Sequence, residues 1–200
     1  HIDMSGNDYI IDSIGEFNVN ADTIKISADS IAFSVNKFVQ GDVTVSVGNF
    51  SHSEGYGSQS IGDYSHAEGE YTVSNGYISH SEGTATYANG NYSHSEGSGN
   101  YANGDHSHAE GGGCIAIGEG SHAEGASTVS KGLYSHAEGS GTISTDSYSH
   151  AEGTFNDTTK TNTALVIGNG IDDANRSNIL YLSKNGEFQL PYYSTADTNK

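Results

Sequence analysis

Proline and cysteine each occur once in 200 residues, tryptophan is absent, and Lys and Arg together number only 7. The single cysteine, Cys114, excludes an internal disulfide. Seven basic side chains against 25 Asp and Glu leave a formal charge of −18. No basic face is left for phosphate backbones, so nucleic acid is excluded as a partner. Anionic lipid headgroups are repelled for the same reason. No apolar run approaches the roughly 20 residues of a membrane span, so membrane insertion is not expected. No basic segment followed by an apolar one opens the chain, and no secretory leader is read there. Scarce proline and a charged fraction of 16% also argue against a disordered chain.

What is abundant is glycine, with 27 residues, and it recurs on a fixed period. Ser-His-(Ala/Ser)-Glu-Gly begins at Ser51, Ser65, Ser79, Ser93, Ser107, Ser121, Ser135 and Ser149, each start 14 residues after the last. Eight copies without an insertion identify a repeat architecture. A looser second half, such as Thr72–Gly76, Thr86–Gly90 or Thr128–Gly132, lies between the motifs. Both halves read small-x-small-x-Gly. In a strand, alternate residues face opposite ways. Ser65, Ala67 and Gly69 then share one face, and His66 and Glu68 the other. Two-residue connectors such as Glu70-Tyr71 and Tyr77-Ile78 follow each glycine, which is expected to supply the unusual backbone angles of a tight corner. The unit is strand, corner, strand, corner: a parallel β-solenoid of 14-residue coils whose thin interior admits only Ser, Thr, Ala and Gly. No 3.6-residue apolar stripe supports a helix.

Such an interior buries little apolar area. At about 25 cal/mol per Å² the gain is small against about 1–2 kcal/mol of backbone entropy per ordered residue. The large side chains all point outward, so association is expected to supply the missing burial.

The alternation of S-x-A-x-G halves, CIAIG at Cys114–Gly118 in particular, resembles the YadA-like head repeats of trimeric adhesins and phage tail fibres. The resemblance covers Ser51–Gly153. It implies an all-β fold, a left-handed parallel β-roll with three chains around one axis, and so a homotrimer. The usual half in that family reads S-V-A-I-G, with Val and Ile packed toward the axis; this sequence writes His and Glu there.

The expected trimer-axis ladder is therefore His52, Glu54, His66, Glu68, His80, Glu82, His94, Glu96, His108, Glu110, His122, Glu124, His136, Glu138, His150 and Glu152. Between residues 51 and 153 the only Lys or Arg is Lys131. Stacked glutamates about 5 Å apart repel by roughly 1 kcal/mol in water and several-fold more at lower dielectric. Imidazole donors two residues away are the available relief. A histidine held charged by glutamate predicts greatest stability in mildly acidic solution, at roughly pH 5–6. A second column, Gln59, Val73, Tyr87, Tyr101, Ile115, Val129 and Ile143, is more apolar and competes for the axis. The ladder is preferred because positions meeting their symmetry mates tolerate few residues.

Two chemical readings compete with this structural one. Adjacent Ser, His and Glu suggest hydrolysis, but Ser65 and His66 face opposite ways, so hydroxyl and base diverge, and no catalytic residue is assigned. Three histidines around an axis suggest a transition metal, with His106 and His108 as the special pair. No other cofactor is expected.

The flanks divide the chain into a β-rich N-terminal connector (1–50), the repeat (51–153) and a C-terminal connector (154–200). In the last, Asn185-Gly186 between LYLS and EFQL reads as a hairpin turn. Arg176, the only arginine, is read either as an interchain salt-bridge partner or as a solvated turn residue. The stretch VIGNG followed by LYLSKNGEF is similar to connectors of trimeric phage tail fibres. The expectation is a non-enzymatic fibre segment of a phage or prophage tail, located on the virion. It would act as a rigid spacer and as an element touching a host-surface glycan or protein. The rival is the head of a bacterial trimeric adhesin at the cell surface, binding host matrix.

Overall fold

The computed structural model describes residues 37–190. Most of the N-terminal connector, with its expected short strands, lies outside the described residues.

Each coil contributes a long strand and a two-residue strand. The long strands begin with Lys37–Asp42, Ser51–Tyr56 and His66–Glu70 and end the repeat with His150–Thr154. The short ones run from Val45–Ser46 to Ile143–Ser144. Long strands stack in one parallel sheet and short strands in a second. The register is the sequence period: His52 lies opposite His66, Ser53 opposite Ala67 and Glu54 opposite Glu68. The protein is an all-β parallel solenoid with about 14 residues per turn, and no helix occurs among the described residues.

Backbone stacking reaches beyond the motif. Lys37–Asp42 pairs with Ser51–Tyr56 in the same register, so a coil precedes the first Ser-His-Ser-Glu-Gly. At the other end, Thr163–Asn169 adds in parallel to the last motif strand, with His150 opposite Leu165. The offset is 15 residues there, because residues 155–162 form a loop instead of a short strand. Asn178–Ser183 and Phe188–Gln189 then continue the sheet antiparallel. The Asn185-Gly186 hairpin is present, with the Ser183 amide donating to the Glu187 carbonyl at 2.8 Å. The sheet thus ends on a two-residue strand, a short edge that offers little to further pairing.

The interior is built as the alternation requires. Ala67, Ala88, Ala109, Ala123 and Ala137 are fully buried, as are Thr72, Thr86, Thr128 and Thr142. Hydroxyls tie the two strands of a coil together: Ser60 and Ser74 donate to the main-chain carbonyls of His52 and His66. Three interior residues exceed the small-residue expectation: Asn100, Cys114 and Asn156. The Asn100 amide donates to the Gly111 carbonyl at 2.8 Å and accepts from the Cys114 amide at 2.7 Å. It therefore fits because backbone groups at the corner satisfy it.

The motif glycines take positive φ as expected, 111° at Gly69 and 101° at Gly83, but they are not alone at the corners. Left-handed backbone sits on the second connector residue, with φ of 58° at Tyr64, 55° at Tyr71 and 52° at Ile78. This conformation is costly for such residues. It persists because it turns each amide along the stack: Tyr64 donates to the Asn49 carbonyl at 2.8 Å and Ile78 to that of Asp63 at 3.0 Å. The glycine ending each second half is needed for space. A Cβ on Gly76 would lie 1.9 Å from the Gly90 carbonyl oxygen.

Candidate functional site

The long strands carry their histidines and glutamates on the outer face, in two adjacent columns that run the length of the repeat. In-register pairing forces identical residues to stack. From His52 to His150, successive imidazole rings lie 4.7–4.9 Å apart, and from His52 to His136 they are parallel within 6°. The ladder inferred from the sequence is thus one continuous feature of a single chain. Its side chains are roughly one-third exposed there, 33% for His122 and 32% for Glu110.

The contact between the columns changes along the stack. His66 Nε2 stands 3.9 Å from Oε2 of Glu68 in its own coil and 3.9 Å from Oε1 of Glu54 in the coil before. The distance to the preceding glutamate then shortens: 3.8 Å for His94–Glu82, 3.6 Å for His108–Glu96 and 3.4 Å for His122–Glu110. It reaches 3.1 Å for His136–Glu124 and 3.2 Å for His150–Glu138. Only these last two are hydrogen bonds. The Nε2 atoms of His66, His80, His94, His108 and His122 are enclosed without one.

Electrostatics follow from this packing. Burial, and then the charge of a neighbouring ring, hold His80, His108 and His122 below the usual imidazole range, and His52 is lowered for the same reasons. The glutamates raise these values but do not prevail. At these four positions the shift runs against the expectation of imidazolium held by carboxylate: burial, and a neighbouring ring's charge, disfavour the charged form. The glutamate column relieves its own repulsion. Hydrogen bonds to Glu96 and Glu124, then burial, push the Glu110 carboxyl up to about 7. The hydrogen bond from Glu110 holds Glu124 below its ordinary value. A carboxyl raised into the neutral range can shed its charge, a relief that reading single residues did not anticipate.

The motif serines stand on the opposite face. Ser65 donates to the Gly62 carbonyl and Ser93 to that of Gly90, each at 2.6 Å, and both hydroxyls are buried. Hydroxyl and imidazole diverge as the alternation requires, and nothing aligns them for nucleophilic attack.

His106 and His108 are placed in different columns. His106 occupies a corner, with φ of 57°, and stacks on Tyr92 at 5.1 Å. His108 stacks between His94 and His122. The corner column continues through Phe50, Tyr64, Tyr77 and Tyr92 as an exposed aromatic edge. On the short strands, Tyr87 and Tyr101 stack at 4.8 Å, and an amide ladder links Asn75, Asn89 and Asn103.

Arg176 is not a freely solvated turn residue. It pairs with Asp173 of its own chain, donates to the Gly141 carbonyl at 2.8 Å and lies over the Phe155 ring. It thereby fastens the C-terminal cap to the last coils.

Compared with known proteins, the chain matches no family model and no curated protein.

Proposed function

We propose that this chain is a non-catalytic, trimeric segment of a phage or prophage tail fibre, a rigid spacer that also meets the host surface through a glycan or protein. The observation that carries this reading is the inverted distribution of side chains. The interior holds Ala, Ser and Thr, while Val45, Ile61, Tyr101 and Ile117 are more than a third exposed. A column with so little internal apolar area gains burial by association. The likeness to YadA-like head repeats belongs to this reading and supplies the number three. The His–Glu ladder is assigned to the trimer axis because its residues do not vary from coil to coil. Unbroken parallel hydrogen bonding along the stack suits a stiff rod.

Sedimentation equilibrium tests the assembly, and a trimer is expected; a stable folded monomer would sink it. Adsorption tests the role. The purified protein should bind candidate host bacteria and slow attachment of a phage carrying this fibre. Binding to immobilised animal matrix protein, with none to bacteria, would hand the function to a bacterial surface adhesin.

A further inference from the structure

We infer that the His–Glu ladder is a linear binding site for divalent transition-metal ions of the zinc class, held by imidazoles and carboxylates of a single chain. The ligands repeat: Glu54, His66 and Glu68 form one set, Glu68, His80 and Glu82 the next, and Glu82, His94 and Glu96 the third. In each set the three donor atoms lie within 4.8 Å of one another. No partner chain is needed to complete them.

The spacing points to a bridging cation. Ligand atoms about 2.0–2.1 Å from zinc, in tetrahedral array, stand about 3.4 Å from each other. His122 Nε2 and Glu110 Oε1 are 3.4 Å apart, and His108 Nε2 and Glu96 Oε1 are 3.6 Å apart. Neither pair forms a hydrogen bond. Where the ladder closes to 3.1 Å, at His136 and Glu124, the hydrogen bond has already formed. The unbonded Nε2 atoms from His66 to His122 therefore aim a lone pair, or a proton that metal displaces, at carboxylates just too distant to use it. A groove of about 660 Å³ along Glu54, Glu68, Glu82 and Glu96 gives a hydrated cation access. One imidazole with two carboxylates leaves a coordination position for water and suits zinc better than calcium, which prefers six to eight oxygens. The net charge of −18 draws cations in, but imidazole gives the selectivity.

Consecutive sets share a carboxylate, and dications one coil apart repel. Ions therefore load in alternate coils: two among the four sets from Glu54 to Glu110, and a third at His122, Glu124 and His136, where a second imidazole replaces one carboxylate, about three per chain.

The test is calorimetric titration of Zn²⁺ into chelator-stripped protein near pH 7.5, with bound metal counted by elemental analysis. We expect saturable binding of about three ions per chain with Kd below roughly 10 µM. Zn²⁺ should also raise the melting temperature of the unmodified protein, while Mg²⁺ and Ca²⁺ should not. The double variant Glu68→Gln/Glu96→Gln removes the shared ligands and should keep about one ion. His80→Phe/His94→Phe/His108→Phe keeps the ring stack and should lose about one. His106→Ala should change nothing. Absence of saturable binding, equal binding of Ca²⁺, or unchanged stoichiometry in both ladder variants would overturn the inference. If either variant fails to fold, the Zn²⁺-against-Ca²⁺ melt of the unmodified protein still decides.

Discussion

His122 Nε2 stops 3.4 Å from Glu110 Oε1, whereas one coil later His136 Nε2 reaches Glu124 Oε1 at 3.1 Å and bonds it. The two pairs share their adjacent residues, Ser-His-Ala and Ala-Glu-Gly, but differ one residue further out, with Gly120 against Tyr134 and Gly112 against Ala126. Toward the C-terminal cap the carboxylate column draws up to the imidazoles; toward the N terminus the columns stand apart. The pairing that closes joins residues 12 apart, in successive coils.

The depressed imidazole values set a direction for pH. A histidine whose folded pKa lies below its unfolded one contributes full stability above about pH 6.5 and loses it as pH falls through the folded value. His52, His80, His108 and His122 all act this way. Glu110 acts oppositely: raised to about 7, its contribution is present below about pH 4.5 and lost as pH rises through 7. Glu110→Gln removes the opposing carboxyl, so metal-free protein carrying that change should melt lower at pH 5 than at pH 7.5. A maximum at pH 5–6 would restore the charged-pair picture drawn from sequence.

Two glycines separate space from conformation. Gly76 has ordinary φ, yet an added methyl would meet the Gly90 oxygen at 1.9 Å, while at Gly112 nothing lies within 4 Å. Gly76→Ala should cost about 3 kcal/mol or more, because backbone must shift, and Gly112→Ala should stay within about 0.5 kcal/mol. Urea unfolding of the two variants, compared at equal m-value, measures the contrast.

How far these features were legible depends on their range. The alternation of Ser65, His66, Ala67 and Glu68 is local, and period two alone predicts which side chains are buried. The role of Gly76 is not local: it depends on the backbone of residue 90, which no pattern within one repeat reveals. Glycine was rightly given unusual corner angles at Gly69 and Gly83, but the left-handed backbone of Tyr64, Tyr71 and Ile78 was not foreseen. The coil beginning at Lys37 was missed because it keeps Gly41 but not the Ser-His-x-Glu that marks the others. The raised carboxyl of Glu110 was missed because like charges were assumed to stay charged.

Asn100 tests how the interior tolerates a polar group. Its side chain serves the Gly111 carbonyl and the Cys114 amide, both enclosed. Asn100→Ala should cost about 2–4 kcal/mol, since it opens a void and strands two backbone groups. Asn100→Thr should recover most of that loss. Thr86 holds the equivalent position one coil earlier and donates to the Glu82 carbonyl at 3.0 Å. Thermal melts of the two variants decide; equal losses would mean that the amide itself is required.

The ladder itself can be exchanged for an apolar layer. His94 Nε2 is enclosed, lies 3.8 Å from Glu82 and has no hydrogen bond, so its removal strands no partner. Its ring stacks on His80 at 4.9 Å and His108 at 4.8 Å, contacts that a β-branched side chain replaces in part. Glu96 lies opposite Glu110, whose carboxyl is raised to about 7, so its loss also lowers the crowding of acids. In the double change His94→Val with Glu96→Ile, one coil presents aliphatic groups where the others present ionisable ones. Replacing a poorly satisfied polar layer by packed apolar residues is often neutral or stabilising. We expect the variant to keep its oligomeric state in sedimentation and to melt no lower than the parent at pH 7.5. At pH 5 it should melt relatively higher, because His80 and His108 lose the neighbouring ring whose charge lowers their pKa values. A lower melting temperature at both pH values, or dissociation, would show that this coil needs its imidazole and carboxylate for assembly.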